Sequence, residues 1–242
     1  MGYSKSIELY EDGIGKVDYV SHMGSDLTVV NSARVSFGVE KDELDDKDRK
    51  LINYLIKHRH TSTLEHNLLT FRFTVPLYVR SQHHRHRTWS YNEISRRYTD
   101  VNIQFYEPRA FRTQHKSNRQ ASNLEGLINP AIGCYIPGED KLCKTSVSNA
   151  LRVHHTDCLA LYNKMIEAGV CREQARGVLP QNLYTEYYGT VNLSNLLKFV
   201  DLRTHEGAQW EIQKVAEACL EIATDLFPET VGAYRRIRSE NE

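Results

Sequence analysis

Hydrophobic and polar residues follow one another along the first third of the chain in patterns that predict helix, strand and helix. Residues 42–58 begin with acids, carry an apolar stripe and end with bases, an order that favours a helix because it complements the helix dipole. Residues 69–75 alternate between apolar and polar side chains, which is typical of a half-buried strand. Pro76 ends that strand and suits the first turn of a further helix, from Leu77 to about Arg87.

The clearest helix is predicted over residues 145–168. Apolar positions recur there at alternating steps of four and three residues, which places them on one face of a helix. These positions are Val147, Leu151, His154, Cys158, Leu161 and Met165. Gly169 then provides a typical helix C-terminus.

The remaining pattern completes an α+β interpretation. Residues 183–191 are aromatic and β-branched and predict a strand, and helices are expected at about 193–202 and 207–227, the second stopped by Pro228. Residues 107–144 have no period and predict a long surface excursion. Helices and strands do not alternate regularly, so we expect a single α+β domain over the whole chain, with a mixed or antiparallel sheet flanked by helices.

Composition narrows the classes of function. The 242 residues include 31 Lys+Arg and 31 Asp+Glu, and this balance argues against nucleic acid as the main partner. No apolar run reaches the ~18 residues that span a bilayer, so no membrane association is expected. Five widely spaced cysteines without a Cys-x-x-Cys pair favour reduced thiols and a cytoplasmic location. Cys171, beside Arg172 and Arg176, remains a candidate catalytic thiol.

Residues 80–97 (RSQHHRHRTWSYNEISRR) concentrate the candidate chemistry. They contain five arginines and three histidines against one acid, Glu93, and no lysine. Arginine grips phosphate or a planar carbonyl with a two-pronged fork, so the segment predicts an anion site. A solvated basic face is one alternative. Another is single-strand nucleic-acid binding, with Trp89 or Tyr91 stacking on bases.

Metal ions and glycine-rich phosphate loops are not expected. His83 and His86 are able to share a helix face, but no carboxylate or thiolate lies close by and the neighbouring arginines repel a cation. Residues 13–16 (GIGK) lack the further glycine that either nucleotide-binding fingerprint requires. If the protein binds a nucleotide, arginine side chains must therefore hold the phosphate.

Arg85-His86-Arg87, followed after seven residues by Ser95, resembles the RHR-x7-S signature of the flavin-dependent thymidylate synthases. Four further segments resemble that family in the same order: residues 33–37 (ARVSF), 60–66, 176–184 and 202–211. The resemblance covers most of the chain outside the 107–144 excursion. It implies a homotetramer, with active sites shared between subunits, that methylates dUMP to dTMP. It also implies 5,10-methylenetetrahydrofolate as the carbon donor and NADPH as the reductant, acting through FAD.

The resemblance also implies site residues by position. Those for FAD are Ser62, Arg85, His86, Arg87, Glu93, Asn192, Ser194 and Lys198. Those for dUMP are Gln82, Arg85, Glu93, Ser95, Arg97, Arg176 and Arg203. Arg203 matches the family residue that stabilises negative charge on the uracil ring, a contribution of the oxyanion-hole type. Many members carry arginine in place of Ser194. We therefore expect weaker FAD binding here, with Lys198 supplying positive charge one turn further along.

Several of these residues also have purely structural interpretations. Ser62 begins a segment that fits a capping box, and Asn192 is able to cap the helix that follows it. Arg203 lies where a cation favours a helix C-terminus. Arg34 and Glu211 fit ordinary ion pairs.

Overall fold

The computed structural model describes residues 3–135 and 142–240, and the chain divides into two compact units. The first unit comprises Met1–Thr74, Gln82–Asn92 and Tyr187–Glu242, and the second comprises Val75–Ser81 and Glu93–Glu186. That the whole chain forms a single domain stays a prediction.

Helices and strands occupy most of the described chain. The helices are α1 (Asp26–Arg34), α2 (Asp46–Lys57), α3 (Leu77–His83), α4 (Val147–Glu167), α5 (Arg172–Ala175), α6 (Leu193–Arg203), α7 (Trp210–Leu226) and α8 (Pro228–Ser239). The strands are β1 (Ser6–Glu8), β2 (Lys16–Met23), β3 (Leu68–Pro76), β4 (Ser90–Glu93), β5 (Phe111–Gln114), β6 (Ser122–Ile128), β7 (Ala131–Cys134), β8 (Cys143–Ser146) and β9 (Tyr184–Asn192). Short 3-10 turns cover Val35–Phe37, Thr61–Leu64 and Arg176–Val178. None of the described helices is long and apolar enough to cross a membrane.

A five-stranded sheet runs in the order β1-β2-β3-β9-β4. β2 pairs antiparallel with both β1 and β3, and Val17 lies opposite Phe73. In β3, Leu69, Phe71, Phe73 and Val75 are buried while the polar residues between them are half-buried, as the alternating pattern predicted. The α+β class, with antiparallel strand pairing and flanking helices, is confirmed.

The segment after β3 differs from its prediction. α3 ends at His83 rather than near Arg87. The reason is that the backbone N–H groups of Arg85 and His86 donate to the carbonyls of Gln82 and His83, at 3.3 and 2.9 Å. These hydrogen bonds to the residue three positions earlier replace the i→i−4 bonds of an α-helix, so the helix ends. The chain then turns into β4, a strand that the sequence did not predict.

α4 has the predicted extent, but its buried face is offset by one residue. His154 and Leu161 were expected inside, yet both are exposed, while His155 and Tyr162 are buried. Tyr162 packs in the core of the second unit with Ala175, Leu179 and Leu183. His155 is held by Glu107, with Nδ1 2.8 Å from Oε1.

Two further segments carry more structure than predicted. Pro228 does end α7, but it also occupies the first turn of α8, where proline needs no N–H partner. The 107–144 excursion contains the antiparallel pairs β5–β6 and β7–β8, and part of it, residues 136–141, lies outside the described residues.

Candidate active site

The turn after α3 brings His86 to the C-terminal end of α6 in the first unit. Nε of Arg203 donates to Nε2 of His86 at 3.0 Å, and Nη2 of Arg203 donates to the Gln82 carbonyl at 3.4 Å. Burial and then the positive charge of Arg203 lower the pKa of His86 to about 4. The imidazole is therefore neutral at pH 7, and it accepts from Arg203 through Nε2. A half-buried guanidinium is thus fixed by neutral partners.

His83 forms the base of this turn. It is fully buried, with Nδ1 2.8 Å from Oη of Tyr187 and its ring 4.7 Å from that of Phe199. Oη of Tyr91 donates to the carbonyls of His83 and His86, at 2.9 and 3.2 Å. Burial, followed by the charges of neighbouring side chains, holds the pKa of His83 well below its ordinary value. These contacts make His83 a neutral structural residue that supports the position of His86.

Gln82, Arg85 and Arg87 share the same turn. The side-chain amide of Gln82 donates to Oε1 of Gln209, whose Nε2 in turn donates to Glu211 at 2.9 Å. Arg85 and Arg87 are exposed. In the described part of the chain, no group of three or more His, Cys, Asp or Glu side chains is arranged to hold a metal ion.

Two of the five arginines in residues 80–97 have structural partners in the second unit. Nε of Arg80 donates to Oε1 of Glu93 at 3.0 Å, and the Thr185 hydroxyl donates to the same oxygen at 2.7 Å. Arg96 is buried and donates to the Val101 carbonyl at 2.6 Å. The contacts of Arg80 and Arg96 therefore explain part of the arginine density without a ligand.

The other predicted dUMP residues of the second unit lie on turns. Oγ of Ser95 accepts from the backbone N–H of Arg97 at 3.3 Å. The Arg97 side chain is exposed, with Nη2 3.4 Å from Oε2 of Glu173. Arg176 begins a 3-10 turn and is also exposed. Arg97 and Arg176 are accessible to an anionic ligand.

A cavity of about 720 Å³ lies in the first unit, where the C-terminal end of α2 meets α6 and α8. Its lining includes Lys57, Arg59, Thr61, Ser194, Lys198 and Arg238. Asp201 also lines it and accepts from the Tyr234 hydroxyl at 2.5 Å. Ser194 is buried, and its Oγ has no hydrogen-bond partner among the described residues. The cavity is therefore rich in positive charge, and the Ser194 hydroxyl in its wall is available to form a hydrogen bond.

The structural interpretations of the predicted residues have different outcomes. Asn192 caps α6, since its Oδ1 accepts from Asn195 N at 2.9 Å, which confirms that interpretation. The capping box at Ser62 is wrong, because this residue lies inside a 3-10 turn whose bond runs from Glu65 N to Ser62 O. A flavin contact at Ser62 stays a prediction.

Three further structural interpretations concern charged residues. Arg34 does form an ion pair, with Asp48. Oε2 of Glu211 accepts from an amide. Arg203 is the last residue of α6, as its dipole interpretation requires.

The cysteines are free thiols. Cys171 is exposed and its Sγ lies 3.7 Å from Oε1 of Gln174. The adjacent Arg172 donates to Asp100 at 3.1 Å. A catalytic role for Cys171 stays a prediction.

Sequence reasoning missed most of the cations around the cavity. Lys57, Arg59 and Arg238 come from positions far apart in the chain, and only Lys198 was identified. Arg59 did offer a signal. It follows the predicted end of a helix, where glycine is common.

Comparison with known proteins places these features in context. Residues 18–229 match the family described as Thymidylate synthase complementing protein. The flavin-dependent thymidylate synthase of Thermus thermophilus is 41% identical over 220 residues, covering 91% of this chain and 75% of that protein. That of Thermotoga neapolitana is 38% identical over 224 residues, covering 91% and 90%. The structure is similar to that of the UMP/dUMP methylase PolB from Streptomyces cacaoi, bound with 5-Br dUMP. The TM-score is 0.73 and the identity 34%, over 95% of this chain and 97% of that one.

Proposed function

Because the chain belongs to the family of flavin-dependent thymidylate synthases, we propose that it converts dUMP to dTMP by reductive methylation. The carbon comes from 5,10-methylenetetrahydrofolate, and NADPH supplies the reducing equivalents through FAD. When bound, the flavin supplies hydride chemistry that no protein side chain can provide. The observation that carries the proposal is the bond from Arg203 to a neutral His86 within the RHR turn.

Arg203 is the proposed catalytic residue. Uracil reacts poorly at C5 until negative charge on the ring is stabilised, and a fixed guanidinium at its carbonyl and N3 edge provides that stabilisation. Arg203 is already held by His86 and the Gln82 carbonyl, so it needs little reorganisation when the substrate binds. Its partners are neutral, which leaves its full charge for the substrate.

The remaining predicted residues bind the two ligands. Arg97 and Arg176 are proposed to neutralise the nucleotide phosphate, because guanidinium forks fit phosphate and both side chains are exposed. The other proposed dUMP contacts are Gln82, Arg85, Glu93 and Ser95. The proposed FAD contacts are Ser62, Arg85, His86, Arg87, Glu93, Asn192, Ser194 and Lys198.

The cavity beside α2 fits an anionic dinucleotide. Lys198 and three further cations line it, and the unpartnered Ser194 hydroxyl provides a hydrogen-bonding group. Phosphate groups are the part of FAD that such a donor set recognises. Lys198 and Ser194 are therefore proposed to face the dinucleotide from α6.

The family also leads us to propose a homotetramer in the cytoplasm, with active sites shared between subunits. This assembly would combine residues from different subunits at each site. Light scattering on the purified protein tests the proposal, and a monomeric mass under assay conditions contradicts it.

A visible absorption spectrum, followed by a nucleotide-dependent assay, tests the proposed function. We expect a yellow protein whose NADPH oxidation is stimulated by dUMP. UMP should be assayed in parallel, because the similar PolB structure is that of a UMP/dUMP methylase. A colourless protein with oligonucleotide affinity that falls steeply with salt would instead support the nucleic-acid alternative.

A further inference from the structure

Arg59 terminates α2 in a backbone conformation that favours glycine. Its φ is +56°, in the left-handed region. The N–H of Arg59 donates to the Ile56 carbonyl at 3.1 Å, and the N–H of His60 donates to the Leu55 carbonyl at 2.9 Å. This pair of bonds is the Schellman motif, whose left-handed position is usually glycine.

An arginine at this position carries a conformational cost. The left-handed conformation crowds Cβ against the backbone in every residue except glycine. Glu11 and Asn102 are the other non-glycine residues with positive φ in the described chain. Non-glycine residues in this region tend to be found where their side chains have a function.

The side chain of Arg59 has a specific environment. It lines the cationic cavity together with Lys57 and Lys198. Among the residues that the structure describes, these three cations have no carboxylate partner within ion-pair distance. Like charges gathered around a cavity repel one another, and an anionic ligand removes that repulsion.

We propose that Arg59 binds the diphosphate of the flavin dinucleotide and that its strained backbone is retained for the guanidinium that glycine lacks. This inference rests on the proposed function and adds a contact to it. Ser194 is too short to reach far into the cavity, so Arg59, which lines it from the end of α2, contributes charge that α6 alone does not provide.

The substitution Arg59→Gly separates strain from binding. Relief of the strain should raise the melting temperature of the flavin-free protein by about 2–4 °C, the shift expected from ~1 kcal/mol in a chain of this size. The dissociation constant for FAD should rise roughly tenfold or more, because a charge-assisted hydrogen bond is lost. Binding of riboflavin, which has no phosphate, should change much less. Arg59→Lys should retain most of the FAD affinity.

Glu11→Gly is the matched control. Glu11 has a φ of +55° and does not line the cavity, so this variant should gain stability without a change in FAD affinity. If wild type binds FAD and Arg59→Gly binds it equally well, the inference is wrong and the proposed function stands. An equal loss of riboflavin and FAD affinity also overturns it. Failure of the wild-type protein to bind any flavin overturns both.

Discussion

The two ends of α2 use charge in opposite ways. At the N-terminal end, Asp48 is fully buried and accepts from Arg34 Nε at 2.9 Å, from the Asp45 backbone N–H at 3.0 Å, and from Lys41. At the C-terminal end, Lys57 and Arg59 line a cavity and have no carboxylate partner among the described residues. The charged groups of the first cluster pair with one another, whereas the cations of the second have no carboxylate partner in the part of the chain that the structure describes.

The difference separates charges that stabilise the fold from charges that are available to bind an anionic ligand. Burial alone would raise the pKa of Asp48, but hydrogen bonds from Lys41, the Asp45 backbone and Arg34 outweigh it and hold the pKa well below its ordinary value. Removing a member of this cluster should therefore reduce stability. Removing a cation from the cavity should reduce ligand affinity and leave the fold intact.

The largest expected effect on stability is at the N-terminal end of α2. Asp48→Ala should lower the free energy of unfolding by about 3 kcal/mol, the low end of the cost of breaking a buried ion pair. Chemical denaturation measures this loss. Folded protein should still bind FAD with nearly unchanged affinity. A normal stability with lost FAD binding would reverse the assignment of the two ends.

Arg203 is a third kind of charge, a guanidinium with neutral protein partners. Arg203→Ala should raise the barrier to methylation by ~2.7–4 kcal/mol, roughly 100- to 1000-fold in kcat. FAD should remain bound, as the absorption spectrum will show. Loss of the flavin together with activity would indicate a structural role instead.

Acid should affect stability in two stages. The pKa of His86 is about 4 in the folded protein, below the ~6.5 of an exposed histidine, so its contribution is present above about pH 6.5 and is lost as the pH falls to about 4. The pKa of Asp48 is also depressed, so its contribution is present above about pH 4 and is lost below it. Thermal melts from pH 8 to 3 measure both stages. Asp48→Asn should flatten only the lower one, and an unchanged lower stage would contradict the cluster's role.

The smallest expected effect is a gain in FAD affinity at the cavity. Ser194→Arg places a guanidinium beside the cavity and should strengthen FAD binding several-fold by adding a charge-assisted contact. Equilibrium titration of flavin fluorescence measures the change. Ser194→Ala is the control for loss of the hydroxyl. Full flavin occupancy of the wild-type protein, unchanged in Ser194→Arg, would contradict the expected weakness.

Local sequence patterns were sufficient to locate α2, β3, α4, α6, α7 and β9: apolar periodicity identified α2, β3 and α4, and aromatic and β-branched composition identified β9. Periodicity failed at α4's register, where His154 was expected on the buried face, but the buried residue is His155, whose ring centroid lies 4.6 Å from that of Phe105. It also missed β4, because the turn that ends α3 depends on bonds from Tyr91 to backbone carbonyls eight and five residues earlier.

The site was predicted less completely than the fold. Arg203 and His86 were identified through their resemblance to a known signature, but the contact between them joins positions 117 residues apart. The cavity combines Arg59 with Lys198 and Arg238, from three helical regions. No local pattern reports such a juxtaposition, since it arises only when α2, α6 and α8 pack.

The most direct test of the central claim follows one carbon atom. The enzyme is incubated with dUMP, NADPH, FAD and methylenetetrahydrofolate carrying carbon-13 in its methylene group, and the nucleotides are analysed by mass spectrometry. We predict labelled dTMP from the wild-type protein and almost none from Arg203→Ala with its flavin still bound. Flavin-loaded wild-type protein that forms no labelled dTMP, or an Arg203→Ala variant as active as wild type, would contradict the account.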